Sequence, residues 1–532
     1  MRPMSETSTT WGARICACVT AGIALAALAG PAEAATIRPT TEADDVSVNA
    51  NCTLREAVIA ANTDAAVDAC PAGDGGDRIP LGSRPNYPVT LPTTNENGAL
   101  NGDLDITDDL KLVGRRSVLH GEPFRENALV GDGTDRVLDV HSGAQVTVKR
   151  LELGSDGTIA GEGGAIRLEG LNTRVRLVEA WITESGSGSA GGGAVELDAG
   201  QTLEVIRTTI VQNFTEGEGG AIDLDAGSDL IVTDSAIYGN QAEDAGGGIE
   251  IGSASDAVIT NSAIADNEVR LGATIAGAGG GIRVNGDAQT DVQLINSTVA
   301  HNRAEFGGGI HMLSADGTTA KGTLVAENLA SGSGPDCGGP GDLDSLGHNL
   351  IGVASPPCAF GETATDITDV NARLRTPGGE LVSREGGPTR TVPLRSESPA
   401  VGSGPPDAPA RDQRGVRRRG PDIGAYELAR CAGAIVNRVG TERADLLMGT
   451  GGPDGILGFG GNDQLRSRGG RDGICAGGGN DVTHGGGGAG DKVRGQKGND
   501  LLGGGGGGRD LCDGGPGNDS ANSSCERTRG VP

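Results

Sequence analysis

The sequence predicts an all-β chain: a parallel β-helix followed by a shorter parallel β-roll. Three observations carry that expectation. Between about Leu151 and Leu329 a glycine cluster followed by alternating apolar and polar residues recurs six times. Between Asp445 and Asp519 an aspartate returns every nine or ten residues within a glycine-rich stretch. Neither region has the 3.6-residue apolar period of a helix, and self-similarity at a fixed spacing marks a repeat architecture.

The N-terminus reads as an export signal. Arg14 precedes the apolar run "ICACVTAGIALAALAG", and "AEA" at Ala32 to Ala34 is a small-x-small cleavage site. Residues 1–34 are therefore expected to be a signal peptide, with Ala35 the first mature residue. The run is short for a spanning helix, so the chain is expected outside the cytoplasm, secreted or at the cell surface, and not integral to the membrane. Cys16 and Cys18 leave with the signal. The eight others, Cys52, Cys70, Cys337, Cys358, Cys431, Cys475, Cys512 and Cys525, are an even count in an exported chain and read as disulfides. Nearest-neighbour pairing gives Cys52–Cys70 and Cys337–Cys358. For the last four, Cys512–Cys525 and Cys431–Cys475 are favoured.

Composition narrows the partners. The chain of 532 residues has 71 acidic and 43 basic side chains, a net charge of -28, and 2% aromatics. Nucleic-acid binding needs a basic surface and is not expected. Almost all of the negative charge falls on the repeat region; residues 440–532 hold 12 acids and 10 bases.

Residues 35–80 are expected to cap the solenoid. "LREAVIAANT" places Leu54, Val58, Ile59 and Asn62 on one side of a helix. A cap is needed because a β-helix exposes unpaired strand edges at its ends.

Residues 81–430 are the expected β-helix. The first aliphatic residues after each glycine cluster are Ile166, Val195, Ile222, Ile249, Ile282 and Ile310, at steps of 29, 27, 27, 33 and 28. A second element lies between them, in which an aliphatic residue precedes an asparagine by three: Ile210/Asn213, Ile237/Asn240, Ile264/Asn267, Val299/Asn302 and Val325/Asn328. Stacked coils would place the aliphatics in one column and the asparagines in an internal ladder. Alternation puts Arg167, Glu196, Asp223, Glu250, Arg283 and His311 in one outward column, with Glu169, Asp198 and Asp225 in a second. Three stacked acids repel unless a cation or a basic partner joins them. Glu196, Asp223 and Glu250 are thus a candidate second cation site or binding strip, set against the simpler reading of a solvated acidic face.

These motifs resemble known families. The paired "GGAI" and aliphatic-x-x-Asn elements resemble the repeats of polymorphic outer-membrane and related right-handed β-helix proteins. "CTLREAVIAANT" resembles the CSLREA motif of secreted bacterial β-helix proteins, and "RDQRGVRRRGPDIGAYE", Arg411 to Glu427, resembles the closing signature of the choice-of-anchor families. The resemblance implies a right-handed β-helix over roughly residues 50–430 and says little about activity. The closing signature is expected to lie across the last coil. Its Arg417 to Arg419 run is read as capping or surface salt bridges, with anion binding the alternative.

After an expected linker at 431–440, residues 441–525 carry the aspartate repeat, with 526–532 a tail. Asp445, Asp454, Asp463, Asp472 and Asp481 fall at steps of nine, and Asp491, Asp500, Asp510 and Asp519 follow at ten, nine, ten and nine. Glycine usually stands two residues before, and an aliphatic such as Leu447, Ile456, Leu465, Ile474, Val493 or Leu502 two residues after. This G-G-x-G-x-D-x-U-x pattern resembles the calcium-binding repeats of RTX (haemolysin-type) proteins. Calcium is a hard cation that takes six or more oxygens. Glycine turns can aim carbonyls at it while the aspartate adds charge, and the nine aspartates are the expected ligands. Arg443 and Ala489 in place of glycine, and Thr483, Cys512 and Ala521 in place of the aliphatic, are departures from the pattern. The combined expectation is a right-handed parallel β-helix followed by a calcium-bound parallel β-roll.

The function expected from this is a secreted or cell-surface calcium-binding structural protein, adhesin-like by family analogy. Calcium ions, and cell-surface or matrix polymers, would be its partners. No catalytic residue is assigned. The alternative is an extracellular polysaccharide-active enzyme, a lyase, hydrolase or epimerase on the β-helix. The epimerase motif "YGFDPH" is absent, and an acidic groove repels uronan substrates. A toxin or protease with an RTX tail is disfavoured, because neither HExxH nor a nucleophile elbow occurs.

Overall fold

The computed structural model describes residues 34–531, apart from 84–85, 92–98, 120–121, 126, 142, 156, 160, 189–190, 271–276, 288, 314–316, 355, 357, 377–380 and 384. The expected signal peptide, with Cys16 and Cys18, lies outside the described residues. No helix among the described residues is long and apolar enough to cross a membrane.

The repeat region winds into a parallel β-helix of four sheets, two of eleven strands, one of nine and one of seven. One coil shows the plan: strands Val195–Leu197, Thr202–Ile206, Thr209–Val211 and Phe214–Thr215, with the next coil opening at Ile222–Leu224. Each strand pairs in parallel with its equivalent one coil on, as in Val195↔Ile222, Thr202↔Asp229 and Thr209↔Ala236. The column Ile166, Val195, Ile222, Ile249, Ile282 and Ile310 is fully buried, as is Ile210, Ile237, Ile264, Val299 and Val325. Glycine sets the corner between the fourth strand and the next coil. Gly219 has φ +66°, and a Cβ on Gly220 would overlap the Gly247 carbonyl of the coil above.

The asparagine ladder is continuous. Nδ2 of Asn213, Asn240 and Asn302 donates to Oδ1 of Asn240, Asn267 and Asn328, each at 2.9 Å, and Asn267 donates to Asn302 at 3.0 Å. Asn328 ends the series on Asp336 Oδ1 at 2.9 Å.

The cap is a helix, α1, at Leu54–Thr63, opened by a capping box of Thr53 and Glu56. Leu54 and Val58 are buried, Ile59 and Asn62 half-buried. Asn62 ties α1 to the first coil: its Nδ2 donates to the Asp105 carbonyl (2.7 Å) and its Oδ1 accepts the Thr107 N–H (3.0 Å). Arg55, 1% exposed, donates to the carbonyls of Ala99, Gly102 and Asp103 and pairs with Asp44. The solenoid already begins inside the expected cap region, since Asp77–Pro80 is the first strand of an eleven-stranded sheet. The four disulfides are Cys52–Cys70, Cys337–Cys358, Cys431–Cys475 and Cys512–Cys525.

The closing signature differs from expectation. The last solenoid strand is Ile367–Thr368. The chain then turns back along the flank of the β-helix instead of covering its end. Gly424 N–H donates to the Gly322 carbonyl, Ala425 N–H to Thr298 Oγ1, Arg418 to Asn261 Oδ1, and Gln413 Nε2 to the Ser235 carbonyl. The cause lies in the outward positions of the third strand of each coil. Ala236, Ala263, Ala265, Ala300 and Ala326 offer a small apolar face, which clusters with Leu374, Val392, Leu394 and Ile423 of the returning chain. Within the signature the buried Arg414 pairs with Asp412 (2.8 Å) and lies 3.7 Å from the Tyr426 ring centre. Arg418 is also buried and structural, whereas Arg417 and Arg419 are exposed.

The C-terminal region is a two-sheet roll of seven and five strands, parallel except where Arg430–Cys431 pairs antiparallel with Ala434–Val439. Residues 431–440 are not a linker: Ala434–Val439 is a strand of the larger sheet. In the expected tail, Arg527–Arg529 pairs with Leu511–Asp513. Leu447, Ile456, Leu465, Ile474, Val493, Leu502 and Cys512 form a thin core, each at most 1% exposed.

A glutamate at position 263 tests the covered flank. Ala263→Glu would place a carboxylate under the returning chain, with a burial cost of roughly 3 kcal/mol or more. Limited proteolysis should then cleave within 370–425 in the variant and spare the wild type.

Candidate functional site

The roll places the nine repeat aspartates on its two edges. Eighteen or nineteen residues make one full coil, so alternate aspartates stack. Asp445, Asp463, Asp481, Asp500 and Asp519 share one edge, and Asp454, Asp472, Asp491 and Asp510 the other. Along each edge the N–H of one aspartate donates to Oδ1 of the aspartate one coil on. The distances are 2.8 Å for Asp445 to Asp463 and Asp454 to Asp472, and 2.9 Å for Asp500 to Asp519. All nine residues are buried.

The second oxygen divides the set. In Asp463, Asp472, Asp481, Asp491, Asp500, Asp510 and Asp519, Oδ2 is buried without a hydrogen-bond partner among the described residues. Each such oxygen costs roughly 1–3 kcal/mol, and more when charged. In Asp454, Oδ2 accepts the Thr450 N–H (2.6 Å) and hydroxyl (3.0 Å); Asp445 Oδ2 does the same with Thr441. The first repeat on each edge is therefore closed by a threonine. The orphaned carboxylates lean over glycine: a Cβ on Gly458 would come within 2.5 Å of Asp463 Oδ2. Burial pushes Asp463 up to about 8, with the Asp481 and Asp445 charges adding to it, and Asp491 and Asp500 up to about 6. Buried acceptors in excess of donors, cradled on glycine, are the donor set a hard divalent cation takes.

Sequence reasoning passed over several partners. Glu526 continues the second edge by accepting the Asp510 N–H (2.8 Å), and Asn437 closes it at the other end by donating to Asp454 Oδ1 (2.8 Å). Asn462, Asn480, Asn499 and Asn518 form an exposed ladder of N–H to Oδ1 bonds, each 2.8 Å, beside the first edge. The recurrent "GND" was its signal.

The acidic column on the β-helix is in register, Arg167↔Glu196, Glu196↔Asp223, Asp223↔Glu250, Glu250↔Arg283 and Arg283↔His311. It is not the solvated face that the simpler reading expected. Glu196 is 4% and Glu250 2% exposed. The glycine corners fold over them, and Glu196 Oε2 accepts the Gly192 N–H at 2.6 Å. Arg283 is the basic partner, 2.6 Å from Glu218 and 3.1 Å from Glu250. Burial raises Glu196 and Glu250 well above the usual carboxylate range; Asp223 adds to the effect at Glu196, while Arg283 opposes it at Glu250. Burial, with Glu218 and Asp225 nearby, pushes Asp223 up to about 7. In the second column, Asp198 pairs with Arg167 at 3.2 Å and Asp225 is exposed.

The first column continues downward through Asp139 and Asp105. Asp105, Asp139 and His141 present ligand atoms within 4.8 Å of one another. Both ring nitrogens of His141 are engaged, Nε2 by Asp105 (2.7 Å) and Nδ1 by Glu169 (2.5 Å). Burial opposes charge on this ring, but the Asp105 hydrogen bond and the Asp139 charge raise it to about 9. An imidazolium held between carboxylates is an ion pair, not a metal ligand.

Residues 171–330 match the sequence profile of the family described as "Right handed beta helix region". Among solved structures, the crystal structure of pectate lyase Pel9A is similar at 14% identity and a TM-score of 0.31, over 67% of this chain and 91% of that one. Likeness at that level carries no inference about activity. No curated protein sequence matches the chain.

The raised carboxylates fix a pH dependence. Between 3.8 and about 7, native Asp223 holds a proton that the unfolded chain releases. The unfolded state binds fewer protons there, so stability falls as pH rises through this window. Thermal unfolding should show the β-helix losing stability from pH 4.5 to 7.5, and Asp223→Asn should flatten that slope.

Proposed function

We propose that the protein is a secreted or cell-surface calcium-binding structural protein, adhesin-like, whose C-terminal roll is ordered by calcium. The observation that supports this is the two rows, seven aspartate Oδ2 atoms in all, buried without hydrogen-bond partners among the described residues. Calcium supplies the positive charge and the oxygen coordination that such a row calls for. The aspartates of each edge and the glycine-turn carbonyls beneath them would hold it. The roll's own core is a single file of aliphatics, so its stability depends on binding. At a free concentration of 100 Kd, each site adds about 2.7 kcal/mol to the folded form. The four disulfides fit an oxidising compartment, and the long solenoid flank suits attachment to cell-surface or matrix polymers.

Asp223 favours a second reading. A carboxyl poised near 7 can act as a general acid, the property a polysaccharide-active enzyme on the β-helix would use. Its neighbours Glu196 and Glu250 lie beneath glycine corners, which keeps a polymer from reaching the pair and places this reading second. Lyase, hydrolase and epimerase assays with wild type and Asp223→Asn separate the two. Turnover lost in the variant would establish the enzyme.

Calcium titration of the full chain, followed by calorimetry and circular dichroism, tests the first reading. Saturable binding of several ions, with a gain of β signal and protection of residues 440–530 from protease, is expected. Asp481→Asn should weaken binding at least tenfold, about 1.4 kcal/mol. Asp454→Asn, whose Oδ2 already has Thr450, should have a smaller effect.

A further inference from the structure

A pocket of about 490 Å³ opens between the hairpin of Arg430–Cys431 with Ala434–Val439 and the second edge of the roll. Four cations line it, Arg375, Arg430, Arg471 and Lys492, together with one carboxylate, Asp472. The Asp472 side chain is turned away into the roll. The residue is 3% exposed, and its Oδ1 accepts the Asp454 N–H at 2.8 Å. Arg375 is paired with Glu385, and Arg430 donates to the Gly433 carbonyl at 3.2 Å. Arg471 and Lys492 have no ion-pair partner among the described residues.

The repeat itself brings these two together. Arg471 immediately precedes Asp472, and Lys492 immediately follows Asp491, on adjacent coils of one edge. Lys492 is the register partner of Gly473, which has no side chain. A Cβ on Gly490 would lie 3.5 Å from Arg471 Nε, and one on Gly433 3.7 Å from Lys492 Nζ, so both glycines leave room beside the cations. The other edge carries Asn462, Asn480, Asn499 and Asn518 at the position before the aspartate. The cations are a property of one edge, facing the hairpin that Cys431–Cys475 fastens to the roll.

We propose that this pocket binds an oxyanion, the carboxylate or sulfate group of a ligand of about monosaccharide size. A concentration of unpaired positive charge in a chain of net charge -28 needs a counter-charge. The interior acids nearby are committed to the roll. A guanidinium fork with an ammonium beside it matches a planar carboxylate or a tetrahedral sulfate. The volume falls within the range of small-ligand sites, and the lining has no aromatic ring on which a nucleobase could stack. The site requires a folded roll, and to that extent it rests on the calcium reading.

The test uses the full chain at saturating calcium, with the calcium isotherm recorded on the same preparation. Sodium sulfate, sodium glucuronate and glucose are titrated by calorimetry. One saturable site per chain for sulfate or glucuronate, and none for glucose, is expected. Sulfate alone would assign a sulfated ligand, and glucuronate alone a uronic acid. The double variant Arg471→Gln/Lys492→Gln should lose at least tenfold in anion affinity with its calcium isotherm unchanged. Arg466→Gln, on the other sheet, should match wild type. Absence of anion binding by a chain that binds calcium normally would overturn the pocket, as would equal binding by the double variant. A flat calcium isotherm overturns the calcium reading instead, and the anion titration of that same sample still decides the pocket.

Discussion

Backbone pairing between successive coils, in register over most of their strands, places a side chain directly above its own equivalent. In a globular core a polar residue can look for a partner in any direction. Here it meets the same position of the next coil about 4.8 Å away. A residue type chosen once is thus chosen for a column, and each column must satisfy itself or be supplied from outside. The aliphatic columns do so by packing. The polar ones separate according to how many donors and acceptors each side chain carries.

Asparagine satisfies itself. Its amide both donates and accepts, so Asn213 through Asn328 form a closed chain of bonds that needs a terminator only at Asp336. Aspartate cannot, because a carboxylate only accepts. On the roll, Oδ1 is served by the N–H of the neighbouring coil, and seven of the nine Oδ2 atoms have no hydrogen-bond partner among the described residues. The two exceptions, Asp445 and Asp454, show the rule, since a threonine supplies the missing donor there. On the β-helix Arg283 meets the same deficit for Glu250, and burial raises the Asp223 carboxyl above the usual carboxylate range.

What the sequence made legible follows from this. The Ile166 to Ile310 column, the asparagine ladder and the aspartate spacing are all periodic, and stacking turns period into position. The helix at "LREAVIAANT" was readable from its own local spacing. The path of the chain after Thr368 was not. Nothing periodic marks the returning segment, and the alanines at 236, 263 and 300 give no strong signal as a docking face. The burial of Glu196 was also illegible, because alternation says only that it points out of the core. The glycine corner above it, with Gly192 donating inward, turns an outward position into a covered one. The arginine run of "RDQRGVRRRGPDIGAYE" reads as capping or surface salt bridges, and only the fold shows Arg418 buried and Arg414 stacked on Tyr426.

The returning chain also decides where the roll lies. Had the closing signature covered the last coil, the roll would have extended the solenoid. Instead the strand that opens the roll, Ala434–Val439, follows directly on the Arg414–Tyr426 cluster: Arg414 and Tyr426 both donate to the Val436 carbonyl, at 3.4 and 3.3 Å. Phe459 of the roll takes the Arg411 guanidinium 5.5 Å from its ring centre. A cavity of about 400 Å³ between them is lined by Glu179, Arg207 and Asp234 of the β-helix and by Gly440 to Arg443 of the roll. The roll is therefore docked on the flank beside the buried network of Arg414, Asp412 and Glu385. On the proposed reading, calcium orders the roll while the Arg414 network holds it against the β-helix, so a change in cation supply acts on the first without dissolving the second.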